Sequence, residues 1–502
     1  MIRGRYFGVA LSIIFLIRLL LQSQIVTPLR EHALPGSTGL FFLIGGDTRG
    51  YTEPWRNVLR KGIYSGDGQT PTANRMPYPG LFFFLAYVIV RDDNIAYEIA
   101  AFLQILLGSI AILVMTNLCY KICIDLSQSN RFARRASVVY LTLSTFFLQS
   151  LALDGSIISD GPGASFLSLF VFYYYRYLSV EQKRLTNFAL ASFFLAMTCL
   201  WRPYYILLYI TILVFEVYKA KKLFVTSLWQ KALLLALPIT LLDLPWIIRN
   251  YITFGQFIPA QYDIYAGSCD RVCLATREFA KILGASNHLG FKAPFYFRCY
   301  LDDDTDSSKC PFRFPWYVLG NKLTIEEIDK AKSLYNRYRK SRRDSILADS
   351  VIQAFHNLVS YYRQDHPYLY WLYPRLECLR RFFIHGAAPY SPGFKEGLKK
   401  FNKIFFLTVR LSQALLYWIA LIMGVVGLII ITNKKLDNYV LLFIPIYLAF
   451  LFPIYLLSEE TRYFYAAYPM LFIGVSYQIG CMLKGISLWK LPLLRNLSQK
   501  LQ

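Results

Sequence analysis

Residues 97–119 read YEIAAFLQILLGSIAILVMTNLC, 23 positions with a single charge, Glu98, at the edge. About 20 mostly apolar residues carry a helix across roughly 30 Å of hydrocarbon at about 1.5 Å per residue, so this run predicts a membrane-spanning helix. Comparable runs occur near 6–24, 136–153, 160–178, 187–201, 204–218, 231–248, 404–431, 438–457 and 464–483, giving ten expected crossings. The fifth and sixth meet at Trp201-Arg202-Pro203 and read as a broken pair. Pro77 to Val90 is apolar but too short to cross, which suits an interfacial or re-entrant helix. Met1-Ile2-Arg3-Gly4-Arg5 before an apolar run resembles a signal peptide, but no small-x-small cleavage site follows, and a signal anchor is expected.

Composition agrees. Of 502 residues, 55% are hydrophobic and only 17% charged, and the mean hydropathy is +0.37. A large soluble enzyme is excluded by the concentration of apolar residues in runs, and disorder by the abundance of aromatics. The net charge of +23 is not accompanied by a zinc-finger or RNA-binding signature, so no nucleic-acid partner is expected. Topology explains the charge better. Arg3, Arg5, Lys121, Arg131, Arg134, Arg135, Arg176, Lys183, Arg184, Lys219, Lys221, Lys222, Lys434, Lys435, Lys484, Lys490, Arg495 and Lys500 all fall on one side of ten crossings. By the positive-inside rule that side is cytoplasmic, and both termini with it.

The opposite side receives residues 25–96, a short turn at 154–160, the long segment 250–402 and a turn at 458–463. A capping-type stretch before Ile325-Glu326-Glu327-Ile328 and charge patterning through Arg343 predict a small, mainly helical outer subdomain. The domain reading is therefore a transmembrane core over 1–260 with a functional first outer loop (25–96), an inserted outer subdomain over 261–403, and C-terminal spans with a tail over 404–502. Cys269, Cys273, Cys299, Cys310 and Cys378 lie in the outer segment, where one or two disulfides are expected with open connectivity. Cys269-x-x-x-Cys273 has a metal-ligand spacing, but no His stands near it in sequence.

Ionisable residues at the mouths of spans are costly and mark candidate sites. On the outer side these are Asp47 in Gly45-Gly46-Asp47-Thr48-Arg49-Gly50-Tyr51, Asp154 with Asp160, Arg202 with Arg249, and Glu459-Glu460-Thr461-Arg462-Tyr463. Each also has a purely structural reading: Asp47 shaping a turn, Asp160 capping a helix, the two arginines reaching lipid headgroups, Glu459 pairing with Arg462. Together, acids and arginines on one face favour a site that handles anions.

Five stretches in this order resemble the GT-C glycosyltransferases, in the branch of protein O-mannosyltransferases and lipid A aminoarabinose transferases. They are Gly46-Asp47-Thr48-x-x-Tyr51 followed by Gly62-Ile63-Tyr64 and Arg75-Met76-Pro77-Tyr78-Pro79; Ser159-Asp160-Gly161-Pro162; Leu200-Trp201-Arg202-Pro203; Pro245-Trp246-x-x-Arg249-Asn250-Tyr251-x-x-Phe254-Gly255; and Glu460-Thr461-Arg462-Tyr463. The resemblance covers 1–260 and 404–483 and leaves 261–403 outside it. One acid stands in the first-loop motif where mannosyltransferases often carry an Asp-Glu pair.

The resemblance implies an all-α membrane bundle with interfacial helices in its first outer loop, located in the bacterial inner membrane with its site on the extracytoplasmic side. It implies an inverting enzyme that moves a sugar from a polyprenyl-phosphate-linked donor to an extracytoplasmic glycan, lipid or protein. Asp47 would be the general base and Asp160 would orient the acceptor or hold a divalent cation, which the acids leave open. Arg75, Arg202, Arg249 and Arg462 would bind the donor phosphate, with Tyr51, Asp154, Glu460 and Tyr463 as further candidates. The rival readings are a lipid-linked sugar flippase, disfavoured by acids gathered on one face without an inverted repeat, and an O-antigen ligase or polymerase, which the Asp47 loop fits poorly.

Overall fold

A computed structural model of the chain describes residues 4–28, 36, 38–126, 128–179, 185–220, 226–261, 271–284, 293–302, 314, 318–341, 344–384, 403–435, 438–456 and 461–483. These are almost entirely helical; the β pairing among them is confined to two isolated bridges, Thr38 with Leu43 and Leu43 with Ser156.

The chain divides into two compact units: Met1–Gln261 with Ala387–Ile446 and Arg462–Gln502, and Tyr262–Gly386 with Tyr447–Thr461. In the N-terminal segment of the first unit the helices are α1 (Gly4–Leu21), α2 (Gly46–Lys61), α3 (Leu81–Val90), α4 (Asp93–Asp125), α5 (Asn130–Thr145), α6 (Leu148–Gly155), α7 (Asp160–Ser179), α8 (Leu185–Trp201), α9 (Leu207–Ala220) and α10 (Thr226–Phe254). The second unit contains α11 (Arg271–Gly284), α12 (Ala293–Leu301), α13 (Ile325–Lys340), α14 (Ser345–Asp365), α15 (Pro367–Trp371) and α16 (Tyr373–Ile384). Three apolar elements follow, α17 (Lys403–Ile419), α18 (Val425–Lys434) and α19 (Tyr439–Phe450), and α20 (Tyr468–Leu483) is the last described helix.

Among the described residues five helical stretches are long and apolar enough to cross a membrane: Phe7–Val26, Asp93–Asp125, Leu228–Phe254, Leu411–Lys434 and Arg462–Leu483. The expected third span, 136–153, is not one straight helix. It breaks between α5 and α6 with a bend of 51°. The break is stabilised from a neighbouring helix: Gln413 Oε1 accepts from Leu148 N at 3.1 Å and its Nε2 donates to Phe146 O at 3.3 Å, so the backbone groups released by the bend are satisfied inside the bundle. Phe147 fills the corner against Tyr468 and Phe472. The pair at 187–201 and 204–218 is interrupted where expected, by a 3₁₀ turn at Pro203–Ile206.

Close helix approach is bought with glycine at one crossing. A Cβ on Gly427 would run into the backbone of Gly474, and one on Gly474 into that of Gly424, which lets the stretch 424–428 lie directly on α20.

The second unit has its own core, in which Phe279, Phe297, Phe355, Leu358 and Tyr362 are essentially buried. Thr324 Oγ1 accepts from Glu327 N at 3.3 Å and starts α13 at the expected place. Cys273 is disulfide-bonded, which removes it as a thiolate metal ligand; Cys269, Cys310 and Arg343 lie outside the described residues.

Candidate active site

The segment between α1 and α2 is tied down before it reaches Asp47. Glu98 on α4 accepts backbone N–H groups from Leu40 and Phe41, the latter at 2.9 Å, and Gln22 Nε2 donates to Phe41 O at 2.8 Å. Leu43 N then donates to Gly155 O at 2.9 Å, fixing the strand-like approach to α2. Gly45 stands before α2, and its N–H donates to Thr48 Oγ1 at 2.9 Å. Asp47 thus occupies the first turn of a helix, where the N-terminal dipole favours a negative charge. Gly80 permits the turn Tyr78–Gly80 to sit against α2, since a Cβ there would strike Tyr51 O.

Two arginines from distant parts of the chain converge on that carboxylate. Arg75 Nη2 is 2.9 Å from Asp47 Oδ1, and Arg462 Nη1 is 2.7 Å from Oδ2. Burial alone would push this carboxyl up, but Arg462 and Arg75 together outweigh it and hold the group below its ordinary 3.8. Tyr51, one turn along α2, carries the network onward: its hydroxyl receives a hydrogen bond from Arg75 Nη1 at 3.1 Å and lies 3.2 Å from Ser159 Oγ.

Ser159 leads directly to Asp160, which forms a buried ion pair with Arg202. Asp160 Oδ2 and Arg202 Nε have no hydrogen-bond partner, an arrangement that leaves both groups with unused capacity. Tyr463 stands between the two halves: the Arg202 guanidinium is 4.8 Å from its ring centre, that of Arg462 is 5.1 Å away, and Arg462 Nη2 donates to its hydroxyl at 3.3 Å. A small cleft is lined by Asp160, Gly163, Ala164, Arg202, Tyr205, Arg462, Tyr463 and Ala466.

Arg249 and Asp154 stand apart from this constellation. Arg249 donates to Thr72 O and Asn250 Oδ1 at 2.8 Å and to Tyr64 O at 3.1 Å, and its guanidinium is flanked by Tyr64, Trp246 and Phe254. It clamps the 64–72 loop to α10. Asp154 is paired with Arg18 at 2.5 Å, both 1% exposed, against Gly108 and Gly161. Glu460 lies outside the described residues, as does Glu459.

Both oxygens of Asp47 face guanidinium groups, Asp160 faces another, and among the described residues no three carboxylate, imidazole or thiol side chains converge.

Several participants escape a reading of the sequence. Ser159 stands in one of the resembling stretches without a role of its own, and Tyr205 is an ordinary polar residue, until the fold sets them beside Tyr51 and Arg202. Arg18 carried a signal, being a lone charge inside the first apolar run, and it finds Asp154. Asp243, buried in α10 with Oδ1 unpartnered, is a further intramembrane acid of the same kind.

No family model and no curated protein matches the chain. Among solved structures it is similar to the crystal structure of ArnT from Cupriavidus metallidurans bound to undecaprenyl phosphate, at 12% identity and a TM-score of 0.38, over 96% of this chain and 79% of that one. A likeness of that degree does not define a family.

Proposed function

We propose that this chain is an integral-membrane glycosyltransferase, with ten crossings and both termini in the cytoplasm, that transfers a sugar from a polyprenyl-phosphate-linked donor to an acceptor outside it. The observation that carries the reading is the carboxylate of Asp47 held between Arg75 and Arg462, with the Asp160–Arg202 pair on the adjoining cleft. A long isoprenoid lies in the bilayer and presents its phosphate at headgroup depth, where a cluster of arginines can grip it.

In this mechanism the donor phosphate takes Arg462, Arg75 and Arg202 as ligands, and Tyr51 and Tyr463 hold those guanidiniums in place. As the phosphate draws Arg75 and Arg462 towards itself, Asp47 loses part of the charge that depresses its basicity. The acceptor hydroxyl then attacks the anomeric carbon while its proton passes to an Asp47 oxygen. The bond from the anomeric carbon to the phosphate oxygen breaks, and polyprenyl phosphate leaves as an anion, so no general acid is required. The arginines stabilise the developing charge, a contribution of about 3 kcal/mol for one such donor in comparable sites. One displacement inverts the anomeric centre, unlike a two-carboxylate retaining route. Charge stabilisation falls to the arginines.

The reading is tested by mass spectrometry of lipid-linked sugars and surface glycans in cells with and without the gene. A missing modification that returns with the wild-type gene and not with Asp47→Asn supports it; identical profiles contradict it.

A further inference from the structure

The short helices α15 and α16 carry a face that their own unit leaves uncovered. Tyr368 is 82% exposed, Trp371 50%, Leu372 53% and Leu376 52%. Arginines rather than acids accompany them. The guanidiniums of Arg363 and Arg375 each lie 5.3 Å from the centre of the Trp371 ring, and Arg375 Nη1 also donates to Tyr370 O at 3.2 Å. The nearby acids are already engaged: Glu377 pairs with Arg380 at 2.6 Å and Arg381 at 2.7 Å, and Asp365 accepts the backbone N–H groups of Lys322 and Leu323 at 2.7 Å. The face therefore presents aromatic rings, leucines and guanidinium charge.

The opposite side of α16 buries Cys378 and Phe382, and the helix packs on Leu451–Tyr455, the last turns of the apolar helix that begins at Tyr439. Phe450 and Tyr455, at that end of the apolar helix, are themselves 57% and 71% exposed. A helix of that composition ends where hydrocarbon gives way to headgroups, and whatever is packed on its final turns stands at that depth.

We propose that α15 and α16 form a membrane-docking face that lays Tyr368, Trp371, Leu372 and Leu376 into the headgroup layer, with Arg363 and Arg375 directed at anionic lipid phosphates. Trp and Tyr prefer this layer because their rings are apolar and their polar edges are wet, and basic side chains add attraction to anionic lipid. A second copy of the chain docking here about a two-fold axis would bring arginine against arginine, which disfavours that occupant.

The test is fluorescence quenching of the full-length protein in nanodiscs of phosphatidylcholine and phosphatidylglycerol. Subtracting the emission of the Trp371→Phe variant isolates Trp371; Phe keeps a ring between the two arginines and preserves the fold. Lipid brominated near the headgroup end of its acyl chains should quench that emission roughly twofold or more, lipid brominated near mid-chain should quench it less, and aqueous iodide should reach it poorly. Emission indifferent to bromine at both depths overturns the proposal: ready iodide access would place the face in water, and shielding from iodide would place it under protein.

Discussion

Asp47 lies in the first turn of α2 and Arg462 begins the last described stretch long and apolar enough to cross a membrane, yet Asp47 Oδ2 and Arg462 Nη1 are 2.7 Å apart. The pairing ties the two ends of the resembling motifs to a single point, and Arg75 completes it from the other side of the carboxylate.

Replacing Asp47 with Asn should lower kcat about 100- to 10,000-fold, the usual contribution of a positioned base, while donor affinity stays within a few-fold. Steady-state kinetics with equilibrium binding of the lipid donor separates the two. A variant with unchanged kcat removes the base from the mechanism.

The depressed Asp47 carboxyl sets the acid side of the pH profile. In the free protein Asp47 lies below 3.8, so it is ionised throughout the neutral range and its acid limb in kcat/KM falls below that pH. Its contribution to stability is present above the unfolded value and is lost as pH falls through the depressed one. In Arg462→Gln the strongest lowering influence is gone while burial persists, so the acid limb should move to higher pH. An unchanged limb in that variant would show that Arg462 does not tune the carboxylate.

The arginines should separate by role. Arg462→Lys and Arg202→Lys keep the charge and lose the planar fork, so turnover should drop by roughly tenfold or more with the fold intact. Arg249→Lys should act through the loop it clamps, since its partners are the carbonyls of Tyr64 and Thr72. Limited proteolysis and thermal stability in detergent should report that loss, and a normal melting point with lost donor binding would contradict the assignment.

Much of the helical organisation and the order of the candidate residues is legible in the sequence, because apolar runs and charges at their edges obey the bilayer's constraints. The grouping within the site is less so. Arg202 and Arg249 read alike, each an arginine beside a proline-containing span end, but one faces Asp160 in a cleft and the other is consumed by loop carbonyls. Likewise Asp154 and Asp160 share a short turn, and the fold sends one to Arg18 and the other to Arg202. Such choices depend on which distant helix packs alongside, and no local pattern encodes that. The bend between α5 and α6 is equally hidden, since it relies on Gln413.

Asp154 supplies a structural control. Removing only Arg18, as Arg18→Met, should destabilise the protein by ~3–5 kcal/mol because a buried carboxylate loses its counter-charge. The double variant Arg18→Met/Asp154→Leu should recover most of that stability and retain transfer activity. Loss of activity in a well-folded double variant would bring Asp154 into the chemistry.

The most direct measurement is release of polyprenyl phosphate by the purified protein in nanodiscs, supplied with lipid-linked sugar and acceptor and followed together with the glycosylated product. The expected result is equimolar formation of the two, with the anomeric configuration inverted, and loss of both in Asp47→Asn. Movement of intact donor across the bilayer without release, or undiminished release in Asp47→Asn, would contradict the glycosyltransferase reading built on Asp47 and its arginines.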